Sequence, residues 1–583
     1  MDAEKKLSCL RSLMKKNNID ACVITKFDPH QSEYAEPYWN GVKFISGFTG
    51  SAGTVVVTET HAGLWTDGRY YLQAERELAG SEFTLHRAAD ANVKDFLDFT
   101  ADETKPCNTI GFDGRTMSLA QVKSLIEKTK SKNISLISDL DLIGEFREGD
   151  PLSGDAAIFA HELKFCGVSA GDKLKIIRGK IGDKVYIISS LDDIAWLTNL
   201  RGERSQNCLF PAYMAVDADE AVLFTDPRRL GNIPPDEAFG IKGYDEICEY
   251  IKNIPADKKI ILCPKKTSYE LSRAAGEREI EEIQTDHTSS LKAVKNETEI
   301  ANCKLANVRD CVSLTRFIKW MKENAGKITE FAAALKLSEF REKNEFFLCE
   351  SFPPIVAYMQ NAAIVHYNTY ENGETVIGPH GFLLVDSGGQ YLDGTTDITR
   401  TISLGNLTDE MKKNYTLVLK GHIGLARSIF PSGVTGHRLE TIARAPLWRE
   451  GLDYNHGTGH GIGFCLSVHE GPHSIAAKPN ETELTEGMLV SNEPGLYFDG
   501  SYGIRTENTL LVAAHSETSS GKFLNFETIT FAPFDPDAID IDLLTSDELD
   551  WLNGYNECVF RKLNPFMTPA ESAWLKNETR LLG

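Results

Sequence analysis

The sequence predicts a multidomain protein of the α/β and α+β classes, and three observations predict it. Its 583 residues are about four times the usual single-domain length. Short apolar runs of strand length alternate with helical patterns through the first half, the mark of α/β layers. Beyond residue 290 helices come first and strands follow, a segregation that indicates α+β. A weak internal repeat divides the first half. The first copy runs from a helical pattern (Leu7, Leu10, Leu13, Met14) through ACVITKFD and FISGFTG to AGLWTD. The second reads KLKIIRGKIGDKVYIISSLDDIAWLTNLRG and then AVLFTD. Each copy has a β-branched run closing at an Asp (Asp28, Asp192) and a later strand closing in Thr-Asp (Thr66-Asp67, Thr225-Asp226). Two similar α/β domains are therefore expected at 1–145 and 146–290.

The third region, 291–583, opens on a helix. Asn296 and Glu299 form a capping box, and Ile300, Cys303, Cys311, Leu314, Ile318 and Met321 follow at helical spacing. Thr329 starts a second helix through Phe331, Leu335 and Phe340. Strands follow in GFLLVDSGG, DITRTISLG, GMLVSNEPG and NTLLVAA. A C-terminal extension from about 525 to 583, with amphipathic helices around Trp551 and Trp574, is too small to stand alone. It is expected to pack on the third domain or on a second subunit.

Composition bounds the function. With 42% hydrophobic and 25% charged residues the chain is globular, not disordered or collagenous. A formal charge of −22 with no dense Lys/Arg run argues against nucleic acid and anionic lipid as partners. No window approaches 18 uncharged apolar residues, and the charged start MDAEKKLSCLRSLMKKNN lacks a secretory h-region. The 12 cysteines form no CxxC pair, which disfavours a thiolate zinc site and a disulfide framework. A soluble, reduced, cytoplasmic protein is expected, and the sequons at Asn133 and Asn296 read as chance matches.

Chemistry concentrates in the third region. Asp386 closes the apolar run LLVD, and Asp397 follows eleven residues later across the turn Asp393-Gly394, so the two carboxylates can meet on adjacent strands. His460 lies in HGTGHGIG, Glu493 in LVSNEPGLY and Glu507 in GIRTENTLLV, both glutamates flanking apolar strands. An ionised carboxylate in such a place costs several kcal/mol unless a cation compensates. Only Arg400 and Arg505 are near in sequence. Four carboxylates and an imidazole balance two divalent ions plus a hydroxide better than one ion. Oxygen-dominated ligation with a single His suits Mn²⁺ or a similar hard ion.

The order Asp386, Asp397, His460, Glu493, Glu507 resembles the dinuclear metal set of the pita-bread metallopeptidases, among them methionine aminopeptidase, prolidase and aminopeptidase P. The strings DSGGQYLDGTTDITRT, HGTGHGIG, VHEGP, SNEPGLY, GIRTENT, DPHQSEY, FISGFTGSAGT and WTDGRYYLQA look like the long, three-domain cytosolic aminopeptidase P. The likeness extends over essentially the whole chain; Gly389 and Asn455 depart from the pattern without touching a ligand. It implies two creatinase-type α/β domains before a pita-bread catalytic domain, and a homodimer. One ion would sit on Asp397, His460, Glu493 and Glu507, the other on Asp386, Asp397 and Glu507. The ions would be Mn²⁺, with Zn²⁺ or Co²⁺ as alternatives. A bridging hydroxide would attack the bond between an N-terminal residue and a following proline in oligopeptides. Glu493 would carry the proton, and His366, His456 and His469 would contact substrate and transition state. Arg505 would hold an outer carboxylate in place, and His473 is left as an ordinary loop histidine. A prolidase acting on Xaa-Pro dipeptides and a non-catalytic binding module are the alternatives.

Overall fold

The computed structural model describes residues 2–149, 157–203, 207–231, 233 and 237–583. They form two compact units. The first comprises the chain to Phe159 with Ala170–Leu200 and Phe210–Thr288; the second comprises Ala160–Ser169, Arg201–Leu209 and Ser289–Gly583.

The first unit contains two six-stranded sheets built to one plan. One runs in the order Thr84–Arg87, Ala62–Thr66, Thr54–Thr58, Ala21–Thr25, Thr109–Phe112, Ser135–Ile137. The other runs Gly240–Lys242, Ala221–Phe224, Tyr213–Val216, Val185–Ile188, Ile260–Leu262, Ile280–Glu282. In both, three antiparallel strands are flanked by parallel neighbours, pair for pair. The internal repeat is thus a repeat of topology, and the runs ACVIT and VYII occupy the same central position. Apolar periodicity places the covering helices. Ala3–Lys16 buries Leu7, Leu10 and Met14, and Ala170–Ile181 buries Leu174, Ile177 and Ile181. Both central strands are buried at every position, as their continuous apolar sequence requires.

The second unit begins with the helix Glu297–Asn324, whose Asn296–Glu299 capping box forms as expected and which buries Cys303, Cys311, Leu314, Ile318 and Met321. The next helix, Glu330–Arg341, starts at Thr329 but turns a different face inward. Phe331 and Leu335 are 40% and 45% exposed, while Glu330 and Arg341 are fully buried. Polar partners reverse the pattern. Arg341 pairs with Asp310 at 2.7 Å, and Glu330 accepts from the Tyr358 N–H, Asn361 and Tyr367. Satisfied buried charges outweigh the apolar periodicity that the sequence displays.

Strands then carry the chain past its carboxylates. Gly381–Ser387 lies between Ile355–Tyr358 and Ile398–Leu404, and a second sheet of six strands orders Ile429–Pro431, Gly521–Thr528, Asn508–Thr518, Leu489–Asn492, Gly459–Gly461, Glu470–Ile475. The C-terminal extension packs on this unit. Helices Ser546–Leu563 and Pro569–Glu578 bury Leu552, Tyr555, Val559 and Leu575 in the same core as Phe317 and Val385. Arg400, fully buried, ties the two together: it donates to the carbonyls of Thr399, Glu507, Ala532 and Pro533 and to the Tyr555 hydroxyl. Among the described residues no helix is long and apolar enough to cross a membrane.

Candidate metal centre

Five strand ends converge in the second unit. Asp386 sits on Gly381–Ser387 opposite Thr399, and Asp397 immediately precedes the partner strand Ile398–Leu404, so the two acids stand on neighbouring strands. Glu507 immediately precedes Asn508–Thr518, its N–H bonded to the Thr399 carbonyl at 3.1 Å and its Oε2 to the Thr399 hydroxyl at 2.8 Å. His460 is the middle residue of Gly459–Gly461, and Glu493 follows Leu489–Asn492. The glycines around His460 are a packing requirement. A Cβ on Gly459 would lie 2.0 Å from the Ser491 carbonyl, and one on Gly461 would lie 2.3 Å from that of Glu470.

Side chains close the cluster. Asp397, His460 and Glu507 each offer one ligand atom, all within 4.8 Å of one another. His460 Nε2 is 3.3 Å from Asp397 Oδ2 and 3.5 Å from Glu493 Oε1. Asp386 Oδ2 receives Arg505 Nη2 at 2.6 Å. The resemblance led us to expect an outer carboxylate for Arg505; instead it grips Asp386, one of the candidate ligands. Arg400 contributes no neutralising contact to the carboxylate oxygens among its bonds, since it donates to main-chain carbonyls, Asn508 and Tyr555.

Charge therefore runs short. Burial, abetted by the charges of Asp397, Glu493 and Asp386, holds Glu507 well above the usual carboxylate range. Burial likewise raises Asp386 against the pull of Arg505. It lifts Glu493 to about 7, with Asp397 and Asp386 adding to the shift and His460 and Arg505 opposing it. Burial alone would depress His460, but the hydrogen bond to Asp397 and the Glu493 charge outweigh it and raise the imidazole to about 9. Without compensating cations, acids so buried keep their protons. Asp386 Oδ1 and Glu507 Oε1 are buried without a partner among the described residues. Orphaned carboxylate oxygens beside one imidazole fit hard divalent cations.

The histidines are placed unequally. The His469 ring meets that of His460 edge to face, centroids 4.4 Å apart. His456 Nε2 is 2.8 Å from the Tyr497 hydroxyl, which also accepts from Arg505 Nη1 at 2.8 Å. His366 lies in the turn after Met359–Ala363, where the adjacent Val365 carbonyl accepts from Arg505 Nη2 at 3.3 Å. His473 is no loop residue. It is buried in Glu470–Ile475 and bonds the Leu489 carbonyl at 2.8 Å. Tyr497 and Thr399 escaped the sequence reading. Period-two alternation in the ribbon Gly495–Phe498/Tyr502–Arg505, with Gly495 opposite Arg505, could have pointed to Tyr497; nothing comparable marks Thr399.

Comparison with known proteins matches the chain in four stretches. Residues 6–148 and 150–299 match models of the creatinase/prolidase N-terminal domain. Residues 301–514 match metallopeptidase family M24, and 522–582 its C-terminal region. A probable Xaa-Pro aminopeptidase P of Coprinopsis cinerea is 36% identical over 99% of this chain and 98% of its own. Xaa-Pro aminopeptidase 1 of Dictyostelium discoideum is 37% identical over 99% of this chain and 96% of its own. The crystal structure of X-prolyl aminopeptidase from Caenorhabditis elegans, described as a cytosolic enzyme with a di-nuclear active site, superposes with a TM-score of 0.95 at 31% identity over 100% of both chains. Prolidase from Pyrococcus horikoshii, at 22% identity and TM-score 0.50 over 63% of this chain, shares the fold of that part. On these matches, and with creatinase-type domains ahead of its pita-bread catalytic domain, the chain belongs to metallopeptidase family M24.

Proposed function

We propose that this chain is an Xaa-Pro aminopeptidase: a metal-dependent exopeptidase that releases the residue preceding proline from the amino terminus of oligopeptides. The observation that carries the reading is the buried carboxylate cluster around His460, with orphaned oxygens on Asp386 and Glu507. Full-length likeness to Xaa-Pro aminopeptidases supports the substrate class. The di-nuclear description of the Caenorhabditis elegans enzyme supports two divalent ions.

Asp397, His460, Glu493 and Glu507 would hold one ion, and Asp386, Asp397 and Glu507 the other, with Asp397 and Glu507 shared. Bound there, divalent cations acidify a water and stabilise negative charge on the scissile carbonyl oxygen. Glu493 would take the proton of the attacking water. It returns that proton to the departing proline nitrogen, a tertiary-amide nitrogen that cannot leave unprotonated. His469, His456 and His366 would donate to substrate and oxyanion, and Tyr497 orients His456. Arg505 fixes Asp386. We further propose Mn²⁺ as the metal, a cytoplasmic location, a homodimer, and a division into domains at 1–145, 146–290 and 291–583.

The test supplies an Xaa-Pro-Pro tripeptide and an Xaa-Pro dipeptide to protein treated with chelator and then reloaded with Mn²⁺, Zn²⁺ or Co²⁺. Metal-restored tripeptide cleavage at the Xaa-Pro bond is expected. Turnover confined to the dipeptide would assign a prolidase instead, and protein that binds no divalent ion and cleaves neither would be a binding module.

A further inference from the structure

Three cysteines that the peptidase chemistry does not use meet in the second unit. Cys349 lies on Phe347–Glu350 opposite Gln390, and the Gln390 amide donates to the Leu466 carbonyl at 2.7 Å. Cys465 precedes Leu466, and its own carbonyl accepts from the buried Arg201 at 2.6 Å. Cys208 returns to the same place, its carbonyl taking the Gly202 N–H at 2.8 Å. The Cys208 thiol lies within interaction range of both Cys349 and Cys465. Among the described residues the three sulfurs do not close on a common point as metal ligands would. Cys208 is the middle of a chain of sulfurs.

The ends of that chain differ. Cys208 and Cys465 are buried at 1% and 0% exposure, while Cys349 is only partly covered. Both buried cysteines hold left-handed backbone, φ 54° and 50°, which costs non-glycine residues about 1 kcal/mol or more. Burial pushes the Cys465 thiol up, yet the Cys208 S–H and the Arg201 charge pull it below its usual value. A reagent from solvent reaches Cys349 first, and Cys465 is the better internal nucleophile.

We propose that Cys349, Cys208 and Cys465 form a hydroperoxide-responsive thiol relay in which Cys208 is the sulfur common to two alternative disulfides. The Cys349 thiolate attacks one peroxide oxygen; the S–O bond forms, the O–O bond breaks, and water leaves after protonation. Cys208 then attacks the Cys349 sulfenic sulfur, forming S–S and expelling a second water. The two thiols supply two electrons and the peroxide is reduced. Cys465 thiolate next attacks Cys208, releasing Cys349 as a thiol and leaving a buried Cys208–Cys465 disulfide with no further oxidant.

Full-length protein is exposed to hydrogen peroxide at doses that oxidise the exposed Cys107, then alkylated and mapped without reductant. The expected result is a linked peptide pair lighter by two hydrogens than its reduced parts, with Cys208 linked to Cys349 early and to Cys465 later, and both reversed by dithiothreitol. Cys208→Ser should abolish both links and let a dimedone-reactive sulfenic acid persist on Cys349. Oxidised Cys107 with no Cys208 link would overturn the relay. A Cys208–Cys465 link forming as fast in Cys349→Ser as in the native chain would overturn its order. Cys349 is part-exposed on a short strand, so that variant decides the matter even if Cys208→Ser fails to fold.

Discussion

Loading the metal-free centre with a divalent cation should expel protons, and the structure sets how many. The perturbation is a titration of chelator-stripped protein with Mn²⁺ across pH 6 to 8. Imidazolium and carboxylic acid cannot ligate, so every proton held by the stripped cluster must leave before the ion binds. With His460 at about 9 and Glu493 at about 7, the imidazole is almost wholly protonated and the glutamate half protonated at pH 7. About 1.5 protons should therefore be released per loaded centre at neutrality, the raised Asp386 and Glu507 adding to that floor. Lower pH fills these sites further, so affinity must fall as pH falls, by about thirtyfold or more per unit near pH 7. Isothermal titration in buffers of different ionisation enthalpy reads the proton count directly. His460→Gln should lower the release by about one proton. Metal binding that displaces no protons, or an affinity flat across this range, would refute the account of a cluster held together by protons in place of cations.

Other perturbations probe separate links. Asp397→Ala removes a member of the three-residue ligand cluster and should abolish turnover and bound metal while the two sheets of the first unit melt as before; kinetics with metal analysis check it, and retained activity would refute the shared-ligand role. Tyr497→Phe deletes the hydroxyl joining His456 to Arg505 and should cut kcat/KM about ten- to a hundredfold with metal content unchanged. His422, buried between the Asn492 carbonyl and the Asn508 amide, is pushed down to about 3 by burial and by Arg400. Its folded value lies below the unfolded one, so the stability it confers is present above about pH 6.5 and drains as pH falls toward 3, by about 3–5 kcal/mol in full. His422→Gln should melt with a visibly shallower dependence on acid than the native chain, and parallel curves would sink that assignment.

The residues that could be read from sequence and those that could not differ in kind. Strand ends and helix starts announce themselves locally: ACVIT, LLVD, the Asn296–Glu299 box and the glycines about His460 all act through neighbours in the chain. The repeat in the first half was readable because apolar strands punctuated by Asp recur in order, and two sheets with one strand order result. What escaped depends on partners distant in sequence. Glu330 and Arg341 enter the core against their own helix's apolar pattern because Tyr367 and Asp310 await them. His473 looked like a loop residue, yet pairing of its strand with Gly459–Gly461 buries it. Arg505 was placed near a carboxylate, but which one depends on a strand 119 positions away.

Arg400 has a consequence for anyone who shortens this polypeptide. Its guanidinium is a clasp between the strand that leads out of Asp397 and the last 60 or so residues, through Ala532, Pro533 and Tyr555. A version ending near position 525 would strand several N–H groups of a sealed-in cation, each forfeiting about 1–3 kcal/mol. The helix that carries Tyr555 is therefore part of what seats the strand leading out of Asp397, and not a trailing ornament.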